Sequence, residues 1–427
     1  MNWKVVLGIM IACAVMMSAS YTMLIPFLPI YLAKELNCPE SNVNLWSGLC
    51  FAVSFAVSAV VSPIWGKLSD KMGKKPMVIR SSFLLAISYL LGGIVETPMQ
   101  LFLARAFQGF ASGLWPACLV ILSAYTPKSK IGLSMGLMQS ANICGGILGP
   151  LLGGILATAF GMRNSFFVGA SALALITVIT FIFIKEPPRD PKDALENKKV
   201  SSSKELLHNR GILTLLACVG LTNMVILQIQ PIATTYVKDL VQDSTNVILL
   251  SGFVFSLGGI AGAIASPFWG RAGQKIGFYK TLIAALIAAG IFIMIQGLPR
   301  NIWIFALFQF IAGLGFSGIF PSANSIIILL TPPNARGVGF GLSFSSQMLG
   351  GAIGPIIGGL IATFLSISLV YVVSGAVLFL IGLTILLATP QELKVSVQNQ
   401  NNLTHSEDYM ERIKREAMEE LKKDKKE

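Results

Sequence analysis

Charge is what this chain has least of. Of its 427 residues only 12% are charged, against 54% hydrophobic, where a soluble domain carries roughly 25% charged residues. A soluble fold of this length would not hide so much apolar surface behind so few charges. Acids are scarcer still. Before Glu186 there are only Glu35, Glu40, Asp70 and Glu96, and between Glu205 and Glu392 only Asp239 and Asp243. Histidine is almost missing, and both His208 and His405 lie outside the long apolar stretches. The six cysteines, at 13, 38, 50, 118, 144 and 218, follow neither metal-ligand spacing nor a disulfide pattern. They read as small apolar fillers, with Cys38 placed in an outer loop. No nucleophile–base set, phosphate loop or metal cluster emerges, which argues against an enzyme and against a bound cofactor or metal. The formal net charge of +12 is no nucleic-acid footprint, because the lysines and arginines sit in short loops between apolar runs.

Those runs are what the chain is made of. A membrane-spanning helix needs about 20 mainly apolar residues. Breaks at charge, proline and glycine predict spans near 5–33, 44–66, 77–95, 98–124, 132–158 and 165–184. A second set falls near 211–237, 246–269, 281–298, 301–330, 337–364 and 367–388. Lys4 and Ser18-Ala19-Ser20 faintly resemble a cleavable leader, but the apolar stretch runs on to about Leu32, too long for one. The loops after spans 2, 4 and 8 hold Lys67, Lys71, Lys74, Lys75, Lys128, Lys130, Arg271, Lys275 and Lys280, and the opposite loops only Lys34, Arg163, Lys238 and Arg300. Positive loops stay inside, which puts both termini in the cytoplasm. The expectation is an all-α, multi-pass plasma-membrane protein, monomeric in its bilayer. It divides into a six-helix bundle at 1–184, a linker at 185–210, a second bundle at 211–388 and a polar tail at 389–427. The linker carries seven basic residues and Pro187, Pro188 and Pro191. Within the tail, 405–426 reads as a solvated stretch that could form a charged helix.

The two bundles are copies. Ser47-Gly48 and Ser62-Pro63-Ile64-Trp65-Gly66-Lys67 return 204 residues later as Ser251-Gly252 and Ser266-Pro267-Phe268-Trp269-Gly270-Arg271. Pro26 and Tyr31 match Pro231 and Tyr236. Gly113 and Pro116 match Gly318 and Pro321, Thr126-Pro127 matches Thr331-Pro332, and Gly149-Pro150 matches Gly354-Pro355. Parallel repeats of six spans are a transporter architecture, since two similar bundles can rock about a site between them.

Three motifs sit on this frame. The first is Gly66-Lys67-Leu68-Ser69-Asp70-Lys71-Met72-Gly73-Lys74-Lys75-Pro76, whose glycines permit a tight turn and whose Asp70 lies among lysines. Its second copy carries Gln274 in place of the acid. The second motif, Leu101 to Gly109, contains Arg105, read as the only charge well inside a span. An arginine at that depth costs at least ~2.5–3.5 kcal/mol, so it needs a partner or a function. Its repeat counterpart is Phe310. The third motif, Gly145 to Gly154, puts Gly145, Gly149 and Gly153 on one helix face, where backbones can touch, and Pro150 interrupts the helix ladder. It recurs at Gly350, Gly354, Pro355 and Gly358. Pro26 and Pro29 should bend the first span.

On these residues the sequence resembles the major facilitator superfamily, specifically the bacterial multidrug exporters of its twelve-helix drug:proton antiporter branch. Asn42 to Gly154 carries most of the likeness and the tail none. The resemblance implies an inner gate in which Asp70 pairs with basic residues and with a helix N-terminus of the other half. That gate is weaker at Gln274. It also implies a role for Arg105, with Gln108, in proton coupling or in binding anionic or polar groups, and it makes the glycine–proline decapeptides antiporter motifs typical of exporters. Energy would come from a proton gradient.

A small-molecule site between the halves would draw on Gln108, Gln139, Asn142, Asn223, Gln228, Gln230, Asn324 and Gln347, with Tyr21, Trp115, Phe316, Phe320, Phe340 and Phe344 as aromatic lining. Such an apolar pocket with scattered amides suits flat amphiphiles. No Asp, Glu or His lies deep in a span, which favours neutral, zwitterionic or anionic substrates. Asp70 and Glu35 are the remaining candidates for titration. A sugar or metabolite transporter of the same superfamily is the alternative.

Overall fold

The computed structural model of the protein describes residues 2–23, 28–187, 203–230, 233–241, 247–298, 301–332 and 335–387. Among them there are seventeen α-helices. The first half contains α1 (Trp3–Met23), α2 (Leu28–Lys34), α3 (Glu40–Met72), α4 (Lys74–Ile94), α5 (Pro98–Ala111), α6 (Leu114–Tyr125), α7 (Ile131–Phe160) and α8 (Met162–Phe183). A short α9 (Ser203–His208) precedes the second half. That half comprises α10 (Arg210–Ile229), α11 (Ala233–Val241), α12 (Val247–Ile276), α13 (Phe278–Gln296), α14 (Ile302–Phe316), α15 (Ile319–Leu330), α16 (Arg336–Phe364) and α17 (Ile367–Leu387).

Eleven helical segments among the described residues are long and apolar enough to cross a membrane. The remaining expected span, 246–269, falls on the 30-residue α12. Large apolar side chains such as Leu45, Val60, Ile64, Phe83, Phe181, Phe268 and Leu387 face outward, as lipid permits and water does not.

Several sequence expectations need correction. The basic motif after span 2 is helix rather than loop. The chain stays helical through Asp70 to Met72 and stops only at Gly73, whose φ of 119° favours glycine. Spans 98–124 and 301–330 are each two helices. The first breaks at Ser112-Gly113, where Gly113 has φ 105° and Pro116 lacks an N–H; the second breaks at Ser317-Gly318. The first span is described as α1 and α2, and residues 24–27 between them, with Pro26 and the bend it was expected to cause, lie outside the described residues. Cys38 lies in the loop between α2 and α3, as expected, but is buried there, and all six cysteines are free. Part of the linker, Ser203–His208, is helical. The prolines at 188 and 191, and the whole 405–426 segment, lie outside the described residues.

The repeat is also written in hydrogen bonds. Trp65 Nε1 donates to Phe110 O and Trp269 Nε1 to Leu314 O. The Tyr31 hydroxyl donates to Gly92 O and the Tyr236 hydroxyl to Gln296 O. Ser18 Oγ donates to Asn142 O, and its counterpart Asn223 Nδ2 to Gln347 O.

Candidate functional site

The glycine faces build the bundles from inside. In the first half, a Cβ added at Gly145, Gly149 or Gly153 would lie 2.3–2.6 Å from a backbone oxygen of Val15, Ala19 or Met23. In the second, Gly350, Gly354 and Gly358 press equally hard on Gly220, Met224 and Gln228. The decapeptides therefore pack α7 on α1 and α16 on α10, and any larger side chain would force the backbones apart. Pro150 is exposed and Pro355 half-buried, within helices that run on past them.

Two further seams join one half to the other, both reaching the lysine-rich face. Along α3 and α16, a Cβ on Gly66 would sit 2.2 Å from Gly337 O, and one on Gly341 2.7 Å from Ser62 O. Ser345 Oγ donates to Ala59 O across the same seam. Along α7 and α12, a Cβ on Gly132 would sit 2.2 Å from Gly270 O and one on Gly136 2.6 Å from Ser266 O, and Ser140 Oγ donates to Ala263 O. From Asp70 up to Ala59 the first seam covers about 16 Å of helix rise. The lysine-rich ends of the two halves are closed against each other.

Asp70 ends this seam. Its Oδ1 accepts from Gly337 N at 2.8 Å and its Oδ2 from Val338 N at 2.9 Å. Both donors belong to the first turn of α16, where the helix leaves N–H groups without internal partners and its dipole favours an anion. Lys74 and Arg336 add positive charge nearby, and Arg336 Nη1 reaches back to Ser123 O. The repeat position does the same work without charge. Gln274 Oε1 accepts from Gly132 N at 3.1 Å, and its Nε2 donates to Lys128 O at 3.0 Å. Lys71 is exposed. Lys74 N and Lys75 N donate to the two carboxylate oxygens of Glu186, and Lys75 Nζ to Phe181 O. Gly73 makes that approach possible, since a Cβ there would crowd the Glu186 carboxylate at 3.1 Å.

Replacing Asp70 by Asn keeps at most one of the two acceptors and removes the charge. Hydrogen bonds to a charged group are worth about 1.5–3 kcal/mol, so the closed seam should weaken about tenfold or more. The check is the labelling rate of a cysteine placed at Ser345 by a membrane-impermeant thiol reagent. It should rise in Asp70→Asn and rise further in Asp70→Ala, which leaves both N–H groups unpaired.

Deeper in, Arg105 is buried on α5. Its Nη1 donates to Gln108 Oε1 at 2.7 Å, its Nη2 has no partner, and its guanidinium lies 6.0 Å from the Phe51 ring. Tyr21 and Tyr89 lie close enough to feel its charge. Tyr21 is exposed, while Trp115, Gln139, Asn142, Asn223, Phe316, Phe344 and Gln347 are half-buried. Gln228, Asn324, Phe320 and Phe340 are packed within the bundles. In this conformation they do not face open space, and both polar side-chain atoms of Gln228 lack partners. Gln230 is exposed at the end of α10. Glu35 is tied to Arg163 by a 3.1 Å ion pair. An apolar groove of about 470 Å³ between α12, α13 and α14 is lined by residues such as Phe268 and Phe292, and by none of the residues just named.

Sequence reading missed Arg80, whose Nε and Nη1 are buried on α4, so Arg105 is not the only intramembrane cation. It also missed Glu186, and it left open which helix of the other half turns its N-terminus to Asp70. The repeat held a clue to the latter, because Gly337 is the counterpart of Gly132 at an offset of 205.

Comparison with known proteins agrees with this architecture. The sequence profile of the Major Facilitator Superfamily matches residues 10–265 and 248–424. The multidrug resistance protein MdtG of Salmonella typhimurium is 32% identical over 381 residues, 88% of this chain and 94% of that protein. MdtG of Salmonella arizonae matches to the same extent. Among solved structures, the human organic anion transporter MFSD10 superposes with a TM-score of 0.77 at 17% identity, covering 90% of this chain and 99% of that one. The proton:xylose symporter XylE gives 0.76 at 15% identity, covering 93% and 99%.

Proposed function

Because this chain belongs to the major facilitator superfamily, we propose that it exports small amphiphilic compounds across the plasma membrane in exchange for protons, by alternating access. It is a secondary transporter and not an enzyme. The reading rests above all on the pair of seams at the lysine-rich face. Asp70 and Gln274 each hold the first turn of a helix from the opposite half. Such contacts can open and re-form as units while the glycine-packed pairs α1–α7 and α10–α16 stay intact.

The choice of amphiphiles draws support from the extended likeness to MdtG, named for multidrug resistance, and from the amide and aromatic side chains of α1, α5, α7 and α16. The likeness to the xylose symporter is at 15% identity and speaks to the fold alone. Arg105 cannot release its own proton. Its part is to hold Gln108 and to bias the charge of groups that come near it when a substrate or proton binds.

The test is dye accumulation in energised inverted vesicles. Vesicles carrying the chain should concentrate amphiphilic dyes, and a protonophore should abolish the concentration. Transport that persists without a proton gradient would rule out proton exchange. Movement of sugars with no movement of dyes would rule out the substrate class.

A further inference from the structure

Arg80 is half-buried, with Nε and Nη1 shut off from solvent, and the export reading leaves it unused. It lies six residues into α4, about 9 Å from that helix's start. Its guanidinium stacks on the Trp65 ring at 3.5 Å. Its Nη2 donates to Ser81 Oγ at 2.7 Å and to Ser112 O at 3.0 Å. The other two nitrogens, Nε and Nη1, are buried without partners, and so are the hydroxyls of Ser62 and Ser69, residues 1% and 4% exposed. Arg80, Ser62, Ser69 and Ser81 line one cavity of about 20 Å³, and Gly337 and Gly341 of α16 close it from the other half.

A purely architectural role does not account for this cluster. The second half makes the same helix break at Gly318, and its Trp269 makes the same bond to a backbone carbonyl, with alanine at 284 and 285 where an arginine would stand. Among the described residues no carboxylate pairs with Arg80. A guanidinium left without a counter-charge in a bundle is costly. The unused groups are three N–H donors on two nitrogens and two hydroxyls able to donate. A ligand that only accepts hydrogen bonds and carries one negative charge would satisfy them together. The cavity has room for one particle of about the size of water, which excludes phosphate, sulfate and carboxylates.

We propose that this cavity binds one monovalent anion of halide size, with chloride as the physiological class. Because α16 supplies one wall, the complete site exists only while the α3–α16 seam is shut. A ligand that binds one state alone shifts the equilibrium towards it, so the anion holds the lysine-rich face closed.

The full chain, purified in detergent, is heated in sodium chloride, sodium bromide and sodium gluconate at equal ionic strength. Chloride and bromide should raise the unfolding temperature saturably over gluconate, by about 2–4 °C. Arg80→Gln should abolish the difference. Lys280→Gln, which removes an exposed lysine, should keep it. Equal curves in chloride and gluconate, or a chloride effect that survives Arg80→Gln, would overturn the proposal. If Arg80→Gln does not fold, bromide-soaked crystals of the unaltered chain give the answer. An anomalous peak within hydrogen-bond reach of Arg80 Nε or Nη1 supports the site, and a cavity holding only water refutes it. None of these readouts involves export, so a failure here and a failure of the transport reading are separable.

Discussion

Chains carrying Gly66→Val or Gly270→Val should insert and fold normally yet lose about 5- to 150-fold of their transport. A Cβ at Gly66 would stand 2.2 Å from Gly337 O, and one at Gly270 2.0 Å from Gly132 O. Both lie well inside van der Waals contact, so the helices must move apart. Overpacking of this kind costs about 1–3 kcal/mol. At these positions the cost falls on one conformation, because the seam joins the two halves and is relieved when they separate. The whole penalty then appears as a shift away from the closed state. Gly350→Val supplies the contrast. Its Cβ would meet Gly220 O at 1.9 Å, but α10 and α16 belong to the same half, and their contact persists in every state. That variant should lower the amount of folded chain without changing the balance of states. Detergent-stable yield, transport per folded molecule and labelling of a cysteine at Ser345 separate the two cases. Equal loss of yield in all three variants would show that the seams are static packing.

Arg105→Ala should abolish gradient-driven accumulation while leaving the chain inserted and able to exchange substrate between the two faces. Removing the guanidinium deletes a buried charge, and on insertion scales that relieves at least ~2.5–3.5 kcal/mol. Folding is therefore not expected to suffer. What is lost is a charged hydrogen bond to Gln108 Oε1 at 2.7 Å, worth about 1.5–3 kcal/mol, or about 10- to 150-fold in any step that depends on it. Arg105→Lys keeps a cation but not the planar fork, and should retain part of the activity. A merely structural arginine would reduce exchange and accumulation together. Normal pumping by Arg105→Ala would remove this residue from the coupling machinery.

Much of the protein is legible along the chain because hydropathy is a local property. The apolar runs and the 204–205-residue repeat give the spans and the two-bundle plan without any knowledge of contacts. The glycine faces at 145–153 and 350–358 could be read too, since four-residue spacing on a helix fixes a face. Helix ends were read less well. Asp70 looked like a loop residue because charge marks the edge of a hydropathy window, whereas Gly73 is what ends the helix.

The tertiary structure alone settled three things. It identified which helix N-terminus of the other half meets Asp70, pairing the carboxylate with amides 267 and 268 positions away. It gave the neutral Gln274 one accepted bond of the same kind, from Gly132 N, and one donated to Lys128 O. It showed the guanidinium of Arg80 to have two buried nitrogens with unused donors. Each depends on which helix of one half lies against which helix of the other. Residues that meet across such a seam leave no periodic trace in either segment. Sequence determined that two copies of a bundle exist, and packing determined where they touch and which end is shut.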